Sequence, residues 1–152
     1  MELIGKMFDA FRVGRDEKIT HLERVPLFED CSLRQLRAVA DISTVVEVPE
    51  RTVLTRAGEP GDEFFVLIDG TAVVTLSPRK RRRMHPGEFF GEMSLLDGEP
   101  RSATVKAATD LRLLVIDRTH FWRLLKEVPG LTEKILVTLS RRVRQHESTP
   151  RA

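Results

Sequence analysis

The sequence is poor in cysteine, in surplus charge and in long apolar runs, and each shortage excludes a class of protein. One cysteine, Cys31, occurs among 152 residues, so no intrachain disulfide can form. We interpret Cys31 as a packed small residue in a reducing cytoplasm. The 25 basic and 23 acidic residues leave a formal net charge of +2, which by itself is weak support for a nucleic-acid partner.

Long apolar segments are missing as well. The longest runs are FFVLI at 64–68 and LLVI at 113–116, far below the roughly 18 consecutive apolar residues of a membrane span. The N-terminal MELIGKMF has an acidic residue at Glu2 and lacks the apolar core of a secretory signal. With 41% hydrophobic and 32% charged residues, the chain is expected to be one cytoplasmic globular domain for which a membrane is not a partner.

Residues 1–43 show the helical spacing of apolar residues. The first helix is predicted to include Phe11 and to end near Gly14, and the second helix to stop before Pro26. Ser32 is placed as the N-cap of a third helix. The buried face of that helix is expected to contain Leu33, Leu36, Val39 and Ala40.

Residues 44–117 change to a period of two. Six short β-branched and aromatic runs alternate with turn sequences. Asp69-Gly70 lies between two of these runs and predicts a tight hairpin. Strands so short and evenly spaced, with no long helix between them, favour a small barrel or a jelly roll over a doubly wound sheet. Of the two, we predict the jelly roll, a double-stranded β-helix of about eight strands.

The C-terminal part returns to helical spacing at residues 118–147, where Pro129-Gly130 separates two helices. The predicted fold class is therefore mainly β, with N-terminal helices and two C-terminal helices flanking the roll. We divide the chain into an N-terminal helix over residues 1–19, a main domain over residues 20–147 and a frayed tail over residues 148–152.

One segment of the β region, FFGEMSLLDGEPRSATV at residues 89–105, combines features that a core strand does not need. Gly91 permits close approach of the backbone to a ligand, and the Glu92 carboxylate can accept hydrogen bonds from a diol. EMSLL can form one helical turn whose free N–H groups suit an anion. Arg101 supplies a guanidinium for phosphate oxygens. Because adjacent strand residues face opposite sides, Arg101 and Ser102 can serve one ligand only at a loop–strand junction. Each residue alone also fits a turn or a surface ion pair.

The segment PGEFFGEMSLLDGEPRSATV at residues 86–105 closely resembles the phosphate-binding cassette of cyclic nucleotide-binding domains. Such domains occur in regulatory subunits of the cAMP-dependent kinase, in the bacterial catabolite activator protein and in cyclic nucleotide-gated channels. AGEPGDEFFVLIDG at residues 57–70 resembles a second signature of the family. The resemblance covers roughly residues 20–147 and implies a β-roll that senses a cyclic nucleotide.

The resemblance also implies a role for each residue of the cassette. Glu92 would bind the ribose 2′-hydroxyl, and Arg101 would bind the exocyclic oxygens of the cyclic phosphate. Backbone amides and one hydroxyl would complete the phosphate shell, and two apolar side chains would wall the site; these residues are Gly91, Ser94, Ala103, Ser102, Phe90 and Met93.

The base of the nucleotide stays open at this point. The cassette suits cAMP and cGMP alike, and we favour cAMP; no metal is expected. The base would be read by the strand near Arg82 and Met84 and by the last helix near Arg144 and His146. RRVR at residues 141–144 is otherwise interpreted as a solvated helix face that complements the helix dipole.

The predicted function is that of a stand-alone cAMP sensor. Its C-terminal helices would rearrange about Pro129-Gly130 and signal to a protein effector or to a second copy of the chain. Two alternatives remain, a β-roll that serves only as a dimerisation or interaction module and a regulatory fragment of a larger transcription regulator. No helix-turn-helix follows residue 147, so no DNA-binding domain is expected.

An enzyme is not expected. Metal-dependent oxygenases built on β-rolls need two or three histidines and a carboxylate inside the roll, and His85 alone of the four histidines falls in the β region. No nucleophile–histidine arrangement can be assembled. The basic run PRKRRR at residues 78–83 is placed at a hairpin turn and interpreted as a solvated loop, with contact to anionic lipid or nucleic acid as the alternative.

Overall fold

The computed structural model describes residues 10–11 and 13–148. These residues form five α-helices and one 3₁₀ turn at Pro26–Phe28. The helices are α1 (Arg15–Glu23), α2 (Leu33–Ile42), α3 (Glu92–Asp97), α4 (Arg118–Glu127) and α5 (Pro129–Ser148).

The same residues form nine strands, all between the second and fourth helices except the first strand. The strands are β1 (Ala10–Phe11), β2 (Thr44–Val48), β3 (Val53–Thr55), β4 (Glu63–Asp69), β5 (Ala72–Ser77), β6 (Lys80–Met84), β7 (Phe89–Phe90), β8 (Thr104–Ala107) and β9 (Leu111–Asp117).

The strands form two antiparallel sheets that face each other. The five-stranded sheet has the order β1-β2-β9-β4-β7, and the four-stranded sheet has the order β3-β8-β5-β6. Sequential strands often belong to different sheets, so the chain winds back and forth between them. The predicted class, a mainly β roll with flanking helices, is confirmed.

The five-stranded sheet is buried on both faces, which explains the unbroken apolar runs of its central strands. In β4, Phe64 and Val66 pack with the helices, whereas Phe65 and Leu67 face the roll interior. The four-stranded sheet closes the interior with its inner face only. The layers are therefore helices, five-stranded sheet, core and four-stranded sheet, and the last of these has an outer face without a covering layer among the described elements.

The N-terminal helical prediction needs correction. Ala10 and Phe11 form β1, which pairs with Val46 and Val45 of β2, so a helix does not extend to Phe11. Gly14 is the N-cap of α1 rather than the end of a preceding helix. Residues 1–9 and the tail at 149–152 lie outside the described residues.

Helix α2, predicted as the third helix of the chain, begins as expected, because Ser32 and Gln35 form a reciprocal capping box. Its buried residues are Leu36, Val39 and Ala40. Leu33 does not belong to this face, since it is 53% exposed. The break at Pro129-Gly130 is also observed, with α4 ending at Glu127 and α5 beginning at Pro129.

The predicted hairpin at Asp69-Gly70 is wrong. Strand β4 pairs with β7 and β9, and β5 pairs with β6 and β8, so these two residues carry the chain from one sheet to the other. Gly70 has φ +95°, which a residue with a side chain rarely adopts. The basic run is not a loop either, because Lys80–Met84 is a strand and Pro78-Arg79 alone forms the turn before it.

No helix within the described ranges combines the length and apolar composition needed to cross a bilayer.

Candidate functional site

A cavity of ≈ 690 Å³ lies between the four-stranded sheet, the segment around α3 and the second half of α5. All eight residues predicted for the cassette line it, namely Phe90, Gly91, Glu92, Met93, Ser94, Arg101, Ser102 and Ala103. The remaining walls are largely apolar and include Val74, Leu76, Met84, Val105, Leu139 and Val143. The volume falls within the ~300–1,000 Å³ of typical small-molecule sites.

Gly91 turns the chain from β7 into α3. It is the N-cap of α3 with φ +90°, and a Cβ there would lie 2.7 Å from the carbonyl oxygen of Glu63 and 3.0 Å from a guanidinium nitrogen of Arg101. Both the dihedral angle and the clearance therefore require glycine. The following residue, Glu92, is thereby directed into the cavity wall at the first turn of the helix.

Arg101 is the most buried cation of the site, with 6% exposure. It donates hydrogen bonds of 2.8 Å to the carbonyl oxygen of Gly91 and 2.9 Å to that of Glu63. The carboxylate of Glu63, itself 7% exposed at the side chain, lies 3.8 Å from the guanidinium. Burial lowers the pKa of Arg101, and the negative charge of Glu63 opposes this effect. Gly61 leaves room for the guanidinium, since a Cβ built there overlaps it.

Glu92 is a buried carboxylate with one satisfied oxygen. Only 2% of the residue is exposed, and Oε1 accepts a hydrogen bond of 2.9 Å from Arg142 of α5. Oε2 is buried and has no hydrogen-bond partner among the described residues. Burial raises the pKa of the Glu92 carboxyl, and the charge of Arg142 offsets only part of that rise. A buried carboxylate oxygen without a donor is costly, which points to a ligand hydroxyl.

Arg142 is a site residue that the sequence interpretation missed. It bonds Glu92, donates to the carbonyl oxygen of Phe89 and lies with its Cζ 4.8 Å from the centre of the Phe89 ring. Burial lowers its pKa, and Glu92 opposes this effect. Arg142 follows Ile135 by seven residues and Leu139 by three, so it continues the buried stripe of α5. This helical spacing from Ile135 and Leu139 could have identified Arg142, among the arginines of RRVR, as the one that faces the roll.

The residues after Arg101 occupy the expected loop–strand junction. β8 begins only at Thr104, so Arg101, Ser102 and Ala103 are not held in a regular pleat. The Ser102 hydroxyl lies 3.6 Å from the sulfur of Met93 across the cavity mouth. Both side chains are partly solvent-exposed, with Met93 at 47%.

The four residues predicted to read a base are placed differently from one another. Arg82 and Met84 line the cavity, with Met84 fully buried and Arg82 bonded at 2.8 Å to Glu88. Arg144 is exposed and does not line the cavity. The side chain of His146 lies outside the described part of the chain. The helix contributes other residues instead, namely Leu139, Arg142, Val143 and Gln145.

A second arginine outside the cassette holds α3 in place. Arg118 of α4 pairs with Asp62 at 3.1 Å and donates to the carbonyl oxygens of Gly61 and Ser94. Trp122, one turn further along α4, donates to the carbonyl oxygen of Leu95 at 2.9 Å. The C-terminal helices are thus connected to the candidate site through hydrogen bonds at both ends of α3.

The arrangement suits binding of an anionic ligand that also carries a hydroxyl. It offers a guanidinium, a carboxylate oxygen without a donor and an apolar wall large enough for a ring system. Among the described residues, no group of three or more histidine, cysteine, aspartate or glutamate side chains could hold a metal ion.

Comparisons with known proteins point in the same direction. A family model described as the cyclic nucleotide-binding domain matches residues 45–128. A cyclic nucleotide-gated potassium channel from Mesorhizobium japonicum is 40% identical over 110 residues, which are 72% of this chain and 30% of the channel. The chain spans about a third of the length of the curated channels that it matches.

Two solved structures share the fold. The regulatory domain of Toxoplasma gondii PKA, crystallised with cAMP, superposes with a TM-score of 0.71 at 27% identity, covering 82% of this chain and 50% of that one. The catabolite activator protein of Thermus thermophilus also gives 0.71 at 27% identity, covering 80% of this chain and 60% of that one. Since the family model spans more than half of the sequence and includes the whole cassette, this chain belongs to the cyclic nucleotide-binding domain family.

Proposed function

We propose that this cavity binds cAMP, with cGMP as the weaker ligand, and that binding shifts the position of α5 to signal to an effector. The observation that carries the proposal is that two buried side chains of opposite charge, Glu92 and Arg101, both line one cavity. A purely apolar ligand would leave Glu92 Oε2 without a donor and would not use the remaining N–H groups of Arg101, and unsatisfied buried polar groups are energetically costly.

Glu92 is proposed to bind the ribose. Its Oε2 lacks a donor among the described residues, and a 2′-hydroxyl supplies one O–H. The bond to Arg142 through Oε1 can persist while the ribose binds Oε2. The carboxylate would then be satisfied on both oxygens only in the liganded state, which favours binding of a ribose over a 2′-deoxyribose.

Arg101 is proposed to bind the cyclic phosphate. A guanidinium has five N–H donors in a planar fork, and the bonds to Gly91 and Glu63 fix its plane without using all five. Burial strengthens its bonds to an anion, because water competes less at low effective dielectric. Resemblance to the family adds the backbone amides of Gly91, Ser94 and Ala103 and the Ser102 hydroxyl to the phosphate shell.

The proposed signal is a movement of α5 about Pro129-Gly130. Leu139, Arg142 and Val143 line the cavity from this helix, so a ligand can interact differently with alternative positions of the helix. Such a difference in interaction energy is what a ligand needs in order to shift a conformational equilibrium. The relatives named above are a channel, a PKA regulatory domain and a catabolite activator protein, so an effector coupled to α5 is part of the proposal.

Calorimetric titration tests the binding proposal. Wild type should bind cAMP more tightly than cGMP and 2′-deoxy-cAMP. Arg101→Lys should weaken cAMP binding on the order of 10–100-fold, because charge-assisted hydrogen bonds contribute about 1.5–3 kcal/mol. Glu92→Gln should weaken cAMP more than 2′-deoxy-cAMP. The proposal fails if the wild type releases no heat with either cyclic nucleotide at millimolar concentration and neither nucleotide changes its thermal unfolding.

Limited proteolysis tests the movement separately. Cleavage within residues 128–147 is compared with and without saturating cAMP. A change in protection is expected at α5, and an unchanged pattern with proven cAMP binding would contradict the movement but leave binding intact.

A further inference from the structure

The outer face of the four-stranded sheet lies away from the site described above, apart from Arg81 at the rim of the cavity. Alternation along its strands directs one set of side chains to the core and the other to solvent. Ala72, Val74, Met84, Val105 and Ala107 are buried on the inner side. The outward set includes Val73, Thr75, Arg81, Arg83 and Lys106, and the three cations among them are exposed.

Charge is distributed unequally between the two sheets. The strands of the four-stranded sheet contain cations and no acidic residue: Lys80, Arg81, Arg82, Arg83 and Lys106. The charged residues in the strands of the five-stranded sheet are mainly acidic, and these acids have partners within the fold. Glu47 and Asp69 pair with Arg112, Asp117 caps α4, and Glu63 lies beside Arg101.

We call the strand cations Arg81, Arg83 and Lys106, together with Arg79 of the adjoining turn, the outer basic face. All four are exposed, and none forms an ion pair with an acidic side chain within residues 13–145. Arg83 and Lys106 lie in one row on either side of Val73, since each is its partner on a neighbouring strand. Two strand spacings separate them by about 10 Å, and Arg81 lies about 7 Å from Arg83 along β6. These separations are comparable to the Debye length of about 8–10 Å at physiological salt, so the electrostatic fields of the three cations reinforce one another.

We propose that the outer basic face binds the surface of an anionic lipid bilayer. The face belongs to a sheet rather than to a helix or cleft, and a bilayer is an extended anionic surface that can meet all four cations at once. The uncharged side chains between the cations are Val73 and Thr75, which are too small to insert deeply, so attraction is electrostatic.

Nucleic acid fits this face less well. Single strands are bound by stacking of bases on aromatic side chains, and the outward residues of these strands include no aromatic ring. Duplex grooves are entered mostly by helices or by β-ribbons that carry base-contacting side chains, whereas this face presents cations separated by a valine and a threonine. The placement of the basic run in a strand, with alternate arginines directed outward, replaces the solvated loop expected from sequence.

Apart from Arg81, the residues of the outer basic face and those of the candidate nucleotide site lie on opposite sides of one sheet, so membrane binding does not rest on the proposed function. Arg81 also reaches the rim of the cavity and is therefore unsuitable as a test residue. Arg83 and Lys106 do not line the cavity. Neutralising these two residues changes the face and leaves the residues of the site unaltered.

The test is co-sedimentation of the full chain with vesicles. At about 50 mM NaCl, where screening is weak, wild type should bind vesicles of phosphatidylcholine and phosphatidylserine mixed two to one, and should not bind pure phosphatidylcholine. The double variant Arg83→Gln/Lys106→Gln should partition about 25-fold less, at roughly fivefold for each cation. Raising NaCl to about 200 mM should weaken wild-type binding through screening.

The matched control is Arg34→Gln/Arg37→Gln, which removes two exposed cations from α2 at the same change in net charge. It should reduce binding far less than the variant of the outer basic face. Circular dichroism melting establishes that both variants fold. A series of vesicles with increasing phosphatidylserine, from none to the two-to-one mixture, needs no variant at all and should bind wild type progressively better. Absence of binding to the two-to-one mixture, equal losses in both double variants, or tighter binding of wild type to a 20-nucleotide DNA or RNA than to the vesicles would each overturn the proposal.

Discussion

Two glycines allow Arg101 and Glu92 to take their positions in the site. Gly91 adopts a left-handed φ and brings Glu92 to the cavity, and Gly61 leaves the space that the guanidinium of Arg101 fills. Neither glycine contributes a polar group through a side chain. Their role is to let backbone and guanidinium approach closely, so that Arg101 can bond the carbonyl oxygens of Gly91 and Glu63.

The Gly61→Ala variant is expected to lose cAMP affinity. A Cβ at this position overlaps the guanidinium, which must move away from Gly91 and Glu63. Loss of the geometry for charge-assisted bonds predicts weakening on the order of 10–100-fold, measured by calorimetry. Gly14→Ala is the matched control, because Gly14 has φ −66° and nothing lies within 4 Å of its Cβ position. Wild-type affinity in Gly61→Ala would show that the position of Arg101 does not govern binding.

At the residue scale, the sequence predicts the part of the site that is local in the chain. The cassette residues lie within fourteen positions from Phe90 to Ala103, and the structure brings all of them to one cavity. Arg142 lies fifty positions from Glu92, and its pairing depends on how α5 packs across the roll. Three arginines stand in RRVR, and only packing decides that Arg142 faces inward while Arg144 faces solvent.

Among the secondary-structure elements, α5 is the one that connects the site with the rest of the helical layer. Its first half is buried in the core through Leu131 and Ile135, whereas its second half lies on the cavity. The second half is attached to the cassette through Arg142, which bonds Glu92 and Phe89. Of the apolar residues in this half that the structure describes, Leu139 is partly buried and Val143 is exposed, so we expect this half to be displaced more easily than the first half.

Arg142→Gln is expected to loosen the second half of α5 in the absence of nucleotide. The variant loses the ion pair with Glu92 and the contact with the Phe89 ring, so amides near residues 139–145 should exchange deuterium faster. Hydrogen-exchange mass spectrometry of the ligand-free protein measures this change. Arg141→Gln, the exposed neighbour, should leave exchange unchanged. Equal exchange in wild type and Arg142→Gln would contradict the role of Arg142 as the attachment of α5.

Element prediction from sequence succeeds where local chemistry decides and fails where pairing is long-range. The capping box at Ser32 and the break at Pro129 depend on neighbouring residues, and both are observed. The Asp69-Gly70 turn is locally suited to a hairpin, yet β4 finds its partners in β7 and β9. Which strand pairs with which is set by the closure of the whole roll, and two turn residues carry no information about it.

Across the whole molecule, the five-stranded sheet unites both hydrophobic clusters. Its side chains alternate between the cluster under the helices and the cluster inside the roll, so neither cluster can be lost without exposing that sheet. The cavity borders the second cluster through Met84, Phe90 and Val105. Binding at the site should therefore stabilise the entire domain as one cooperative unit.

Thermal unfolding in the presence of ligand tests whether the domain unfolds as one cooperative unit. A ligand at 100 times its dissociation constant that binds only the folded state adds about 2.7 kcal/mol to the free energy of unfolding. For a chain of 152 residues we expect cAMP at that excess to raise the Tm by roughly 5–10 °C in a single transition. At the same concentration, 5′-AMP should raise the Tm less. Its open phosphate carries an additional negative charge, which would lie close to the carboxylate of Glu63 beside Arg101. Two resolved transitions, with one shifted by cAMP and the other unchanged, would show that the helical layer and the roll unfold independently despite sharing a sheet.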